Sequence, residues 1–407
     1  MAKNYDYLIV GAGIIGLTIA REIKRRLPDC SVCIIEKERE VALHASGRNS
    51  GVLHAGFYYT ADSLKARFAR EGNLAMTAYC EENGLKINRC GKVVVTTCEE
   101  ELESLEELKR RGDRNGVELV PIDEKHLFMI EPNARTVEKA LFSPLTSTVD
   151  PVEVCLALKQ EIERKGVEIL FECPFEGCRE QTVFAGKETI HAGFLVNSAG
   201  LYADSIAKQF GFGFDYTIIP FKGIYLKYEK NKTDIRTNIY PVPNLNNPFL
   251  GVHFTKTVDG SIKIGPTAIP TLWRENYNGL QNLSMPELAN ILYYESKLFL
   301  TNAFGFRSLA MEEMKKYIRN HFINLSLKLA PNLDKDGFGA FLRPGIRAQL
   351  LNKKTMSLVQ DFIVEGDDRS IHILNSVSPA FTCSIPFAEY IVKLILEKQG
   401  GEQVEAG

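Results

Sequence analysis

The chain has 407 residues, 45% of them hydrophobic and 25% charged, which is the composition of a folded globular protein long enough for two domains. A net charge of −2 leaves no basic footprint for nucleic acid, and no run approaches the roughly 20 apolar residues of a membrane span. Nine cysteines scattered along the chain argue against a disulfide framework, and the seven histidines form no ligand set, so no metal is expected. The spacing Cys30-x-x-Cys33 can be redox-active, but Cys33 falls inside an expected strand and both read as reduced structural thiols. The N-terminus has no basic region leading into an apolar segment, so cytoplasmic residence is expected, with peripheral membrane contact left open.

In chain order, Tyr7-Leu8-Ile9-Val10 reads as a buried parallel strand, and Gly11-Ala12-Gly13-Ile14-Ile15-Gly16 follows at once. A helical pattern through Leu17, Ile19, Ala20, Ile23 and Leu27 ends at Pro28-Asp29, and Val32–Ile35 forms a second strand closed by Glu36. In such a βαβ unit Gly11 allows the tight turn, Gly13 the close approach of a pyrophosphate, and Gly16 close packing of helix on strand. The amides and dipole at the helix start favour the diphosphate, and Glu36, about twenty residues on, suits a ribose diol. The motif alone does not separate NAD from FAD. The small, polar loop Ala45–Gly51, leading into Val52-Leu53-His54-Ala55-Gly56, points to a second close approach, as the ribityl chain of FAD requires.

Further along, helices are expected over residues 62–83 and 99–114, the latter a solvated amphipathic face, with a strand at Lys92–Thr97. A helix over Val152–Lys165 leads into a strand at Val167–Glu172. Phe194–Asn197 is an apolar strand ending in Ser198-Ala199-Gly200, with a helix near Ala203, the arrangement that places cofactor contacts at a strand's carboxyl end. Residues 215–300 turn β-rich, with a turn at Pro243-Asn244 and a hairpin of Val252–Thr255 with Ser261–Ile264, and helices follow between Met285 and Leu329. After Arg343-Pro344-Gly345 come strands at Phe362–Val364 and His372–Asn375. Ser378 and Ala380 open a final helix, Cys383–Lys398, whose N-terminus suits negative charge on a reduced flavin. The residues beyond it (GGEQVEAG) read as disordered.

Taken together, GAGIIG with Glu36, SGRNSGVLHAGFYYTADSLKA, PFKGIYL, YPVPNLNNPFLGVHFTKTVDGS, RPGIRAQ and HILNSVSPA resemble the L-2-hydroxyglutarate dehydrogenase/oxidase family, within the FAD-dependent D-amino-acid-oxidase-like superfamily. The resemblance implies an α/β fold with an α+β second domain. A Rossmann-type FAD-binding domain (1–80, 146–214, 336–407) would be interleaved with an antiparallel-sheet substrate domain (81–145, 215–335). It implies oxidation of L-2-hydroxyglutarate to 2-oxoglutarate by hydride transfer from C2 to flavin N5, with electrons passing to a quinone or oxygen. The alternatives are an FAD-dependent amine or amino-acid oxidase and a non-catalytic flavin-binding protein.

Such chemistry needs a carboxylate anchor and a base. Arg347 is the candidate anchor, because a guanidinium matches a carboxylate with two parallel hydrogen bonds. His54 and His253 are the candidate bases, with His253 expected on substrate and His54 on flavin; His44 and His126 lack such context. Tyr58, Tyr59, Lys222 and Tyr225 are candidates for the distal carboxylate, Lys222 standing where the family can carry arginine. Expected FAD contacts are Gly11, Gly13, Ile14, Ile15, Gly16, Glu36, Lys37, Ser46, Asn49, Ser50, Gly51, Ser198, Ala199, Gly200, Gly345, Ser378 and Ala380.

Overall fold

The computed structural model describes residues 2–231, 234–243 and 249–400. The turn at Pro243-Asn244 and the terminal run after Gly400 lie outside the described residues. Within them the chain forms two compact units, one of residues 1–48, 151–218 and 348–407, the other of 49–150 and 219–347. Helix Leu64–Glu82, expected with the first unit, falls in the second. Its Asn73 carboxamide donates to the carbonyls of Leu53 and Leu145, both in that unit. No helix among the described residues is long and apolar enough to cross a membrane.

The first unit is an α/β layer structure. Lys3–Val10 lies between two parallel neighbours, with Leu8 opposite Cys33 on one side and Leu195 on the other. Strand Glu188–Asn197 is shared along its far edge by the antiparallel strand Thr182–Ala185 and the parallel strand Ser370–Ile373. Leu8, Ile9, Ile34 and Val196 are buried without alternation, as in a parallel sheet covered on both faces. The nucleotide-binding helix is Ile14–Arg26, and the last helix starts earlier than expected, at Ala380.

The second unit is built on an eight-stranded sheet in the order 338–341, 226–228, 262–265, 253–256, 238–241, 92–95, 139–143, 120–123. Alternation divides its side chains cleanly. Val93, Val95, Ile239, Phe254, Ile262 and Ile264 share one face and pack with Phe322 and Ile323 of helix Arg319–Leu327. Each is buried, and a fully buried side chain of this kind contributes about 1.5–3 kcal/mol. The other face carries Lys92 and Val94, paired in parallel with Asn238 and Tyr240. With Ile239 opposite Phe254, Tyr240 and His253 both come to this second face, and their rings stack at 3.7 Å.

Three expectations are corrected. Helix Leu102–Arg114 is not merely a solvated face, since Leu105 and Leu108 are buried against Phe57, Tyr58 and Val94. A strand at Gly345–Asn352 follows Pro344 directly. The strand expected at Phe362–Val364 lies at Val364–Gly366, where it pairs antiparallel with Ile371–Ile373.

Candidate active site

In the first unit the glycine turn has the geometry that its sequence requires. Gly11 adopts φ +100°, and a Cβ there would lie 2.9 Å from the Ser198 carbonyl oxygen. A Cβ on Gly16 would lie 2.0 Å from the Gly11 carbonyl oxygen, so a side chain would separate helix from strand. Gly13 is the helix N-cap and offers no capping side chain, leaving the dipole end open to an anion. Ser46 closes over the turn, its Oγ accepting from the Ile14 amide at 2.9 Å. The Glu36 carboxylate accepts from the Ala12 amide at 2.8 Å and the Glu38 amide at 3.0 Å, which fixes it at the tip of the second strand. Ser198 donates to the Val10 carbonyl at 3.0 Å, and Ala199 and Gly200 continue from that strand end into a short turn of helix. Lys37 turns its ammonium to Glu38 and His44, so only its backbone remains for a cofactor. Ser378 precedes the last helix, and the Ala380 amide donates to the Val377 carbonyl. This cradle fits an FAD diphosphate: glycines where a Cβ has no room, a helix start whose N-cap residue carries no side chain, and an oriented carboxylate.

In the second unit, Asn49 Oδ1 accepts from the Gly51 amide at 2.8 Å, and Gly51 adopts φ +75°, which makes a compact turn at the end of the small, polar loop. The segment that follows lies on the second face of the sheet. Asn115 Nδ2 donates to the carbonyls of Gly56 and Tyr59 at 2.9 and 3.0 Å, and Arg111 to that of Tyr58 at 3.1 Å. These bonds hold His54, Tyr58 and Tyr59 in place, and helix Leu102–Arg114 supplies them.

Three predicted residues come together here. His54 and His253 are both buried and near enough to influence one another's protonation. Burial pushes His253 down to about 3; the Gly251 carbonyl opposes this, and the charges of Lys92, Arg347 and Lys316 deepen it. His54 is held well below the usual histidine range by burial, then by Lys92 and His253. His253 Nδ1 lies 3.0 Å from the Gly251 carbonyl oxygen. A carbonyl only accepts, so Nδ1 carries the proton and Nε2 keeps its lone pair. Arg347 is part-buried, its guanidinium 5.4 Å from the Phe249 ring centre, and burial lowers its pKa while the neighbouring Tyr225, Glu313, Tyr240 and Tyr59 oppose that. Gly345 begins the strand that carries Arg347. Lys222 is buried and its pKa lowered by burial, with Ile269 opposite it in the sheet; among the described residues no hydrogen bond or ion pair joins it to the histidines.

Sequence reasoning missed Lys92. It is fully buried, and its ammonium has no hydrogen-bond partner among the described residues. It lies 4.3, 5.0 and 5.3 Å from the ring centres of Tyr240, Tyr58 and Phe57. Burial pulls it down to about 7. The available signal was the run Lys92–Val95: four strand residues buried on both faces leave an alternating lysine no route to water.

Comparison with known proteins agrees with this geometry. The family described as FAD dependent oxidoreductase matches residues 6–392. The chain is 35% identical to the mitochondrial L-2-hydroxyglutarate dehydrogenase of Nematostella vectensis over 98% of its length and 91% of that protein. It is 33% identical to the L-2-hydroxyglutarate dehydrogenase of Escherichia coli K12, over 96% of this chain and 93% of that one. Among solved structures, FAD-bound L-alpha-glycerophosphate oxidase from Mycoplasma pneumoniae superposes with a TM-score of 0.75 at 21% identity, covering 97% of this chain and 95% of that one. Glycine oxidase from Geobacillus kaustophilus gives 0.72 at 17%, covering 99% and 96%. These two share the fold. The glycine cradle, the family match across nearly the whole chain and the level of identity together place this chain in the L-2-hydroxyglutarate dehydrogenase family of FAD-dependent oxidoreductases.

Proposed function

We propose that the protein oxidises L-2-hydroxyglutarate to 2-oxoglutarate, with the first unit binding FAD and the second binding substrate, and that the electrons pass on to a quinone or to oxygen. The observation that carries the diacid is charge. Lys92 and Lys222 are buried and Arg347 is part-buried, and none of the three has a carboxylate ion-pair partner among the described residues. Buried cations without counter-ions are costly, and a dianionic substrate supplies the missing charge. A dianion compensates two of the three, and a monocarboxylate only one.

Gly11, Gly13, Gly16, Glu36 and Ser46 are the residues of the first unit that would hold FAD, which when bound supplies the two-electron acceptor. The remaining tasks fall to side chains of the second unit. Arg347 grips the carboxylate beside the hydroxyl in a bidentate pair, with Tyr59 and Tyr225 near it as donors. Lys92 provides positive potential for the second carboxylate, with Lys222 as a further cation. His253 Nε2 accepts the hydroxyl proton, its tautomer fixed by Gly251. Without substrate the imidazole is a weak base because burial, Lys92 and Arg347 all disfavour its cation. Two bound carboxylates offset those charges and raise its basicity when a proton is to be taken.

An anaerobic absorbance spectrum of the FAD-loaded protein tests this reading. L-2-hydroxyglutarate should bleach the flavin and yield 2-oxoglutarate, whereas L-lactate and amino acids should not. Bleaching by glycine or proline, with none by the diacid, would move the protein to the amine oxidases.

A further inference from the structure

Glu313, near the end of helix Phe306–Lys315, is buried and pairs with the buried Lys316 just beyond the helix. A buried ion pair is a poor source of stability, because taking two charges out of water costs about what their attraction returns. Two apolar residues would hold the helix at least as well, so the pair asks for another role. The other oxygen of the Glu313 carboxylate accepts from the Ala268 amide at 2.5 Å. Ala268 lies between Thr267 and Ile269, and both of these hold the strand that carries Lys222. The Thr267 hydroxyl donates to the Lys222 carbonyl at 2.8 Å and accepts from the Ile224 amide at 3.0 Å. Ile269 stands opposite Lys222 in the sheet. Thr267, Ala268 and Ile269 are all buried, so bulk water does not compete for these bonds.

The same strand end reaches the segment of Arg347. A Cβ on Gly223 would lie 3.8 Å from the Gly345 carbonyl oxygen. Glu313 is near enough to Arg347 to favour its cation, and Lys316 near enough to His253 to disfavour that of the imidazole. One carboxylate is thus tied through backbone to one candidate substrate cation and through charge to another, and among the described residues it bonds to neither side chain. We propose that Glu313 is a positioning residue for recognition of the second substrate carboxylate: with Lys316 as its counter-ion it holds Ala268, and through Thr267 and Ile269 it sets where Lys222 stands. This inference rests on the reading that the substrate is a dicarboxylate and Lys222 one of its counter-charges. A displaced Lys222 weakens the grip on the diacid equally before and during oxidation, so the loss falls on KM rather than on kcat.

Turnover of the FAD-loaded protein with a redox dye as electron acceptor tests the proposal. Glu313→Leu should raise the KM for L-2-hydroxyglutarate about tenfold or more with kcat little changed. Glu313→Gln with Lys316→Met keeps an acceptor for the Ala268 amide and removes both charges, and should bring KM back near that of the parent. Thr267→Val leaves Glu313 in place but removes the hydroxyl between Lys222 and Ile224, and should raise KM by the second route. Lys222→Met should itself raise KM, and in that background neither Glu313→Leu nor Thr267→Val should raise it further. A merely structural role would lower kcat as well, in both backgrounds alike, and would overturn the proposal. So would a KM unchanged by both Glu313→Leu and Thr267→Val, or effects that add in full to that of Lys222→Met; the proposed reaction would survive either result. A parent protein whose flavin the diacid does not bleach would remove the reaction, and this inference with it.

Discussion

Replacing Lys92 by methionine should make the protein more stable and less active. The ammonium is fully buried, and its pKa falls from 10.5 to about 7. Keeping it charged costs the folded state about 5 kcal/mol below pH 7. The three aromatic rings around it return about 1–2 kcal/mol through cation–π attraction, leaving a net penalty of about 3 kcal/mol. Methionine fills a similar volume, keeps the apolar contacts and removes the charge. Since the folded pKa lies below the unfolded one, the unfolded chain holds the extra proton; the penalty is full below pH 7 and fades as pH rises toward 10.5. Urea unfolding of the cofactor-free variant at pH 6 should therefore show a gain of about 3 kcal/mol, shrinking by roughly half at pH 9. Flavin reduction by L-2-hydroxyglutarate should at the same time slow by about 100-fold or more, as a buried substrate carboxylate loses its counter-charge. A variant less stable than the parent across this pH range would show that Lys92 is held by interactions other than those described. Unchanged reduction kinetics would remove it from the site.

Arg347→Ala should raise the KM for substrate by about 100-fold while FAD stays bound, since only the carboxylate anchor is lost; an unchanged KM would exclude Arg347 from substrate binding. His253→Asn should lower the anaerobic reduction rate by about 10²–10⁴-fold with little change in substrate affinity, and raising the pH should restore part of the rate as substrate deprotonation becomes easier. Retention of the parent rate would hand the role of base to His54 or to solvent. Gly16→Val should yield protein with little or no bound FAD, because its Cβ position is 2.0 Å from the Gly11 carbonyl oxygen. A stoichiometric flavin content in that variant would contradict the cradle.

The first βαβ unit was legible because each local signal agreed with the others. An apolar strand, glycines at the turn, an apolar-periodic helix and an acid at the next strand tip all demand the same backbone. His54, His253 and Arg347 were found as separate residues with a shared chemistry, but what joins them is sheet register. Tyr240 meets His253 only because Ile239 pairs with Phe254, and sequence does not reveal which strands are neighbours. The run Lys92–Val95 signalled a buried lysine but not its surroundings, because its parallel partner Asn238 lies far along the chain. The strand Gly345–Asn352 went unassigned, because the segment after Pro344 was taken only as leading to the strand at Phe362. Helices were expected between Met285 and Leu329 and are found there, but the exposure of Leu292 and Phe299 beside buried Ile291 and Leu298 is seen only in the structure.

The interleaving of the two units bears on the order in which a nascent chain can mature. The first unit is assembled from residues 1–48, 151–218 and 348–407, and the second is closed only by residues up to 347. Strand Glu188–Asn197 waits for Ser370–Ile373, and helix Ile14–Arg26 packs against Ala380–Lys398, so the glycine turn made first on the ribosome acquires its full support last. The second unit can finish while the first is still open, and a message truncated before residue 370 would leave the sheet beneath the glycine turn without its closing strand. The carboxyl end of strand Glu188–Asn197 would then stand as an apolar edge open to pairing with another chain.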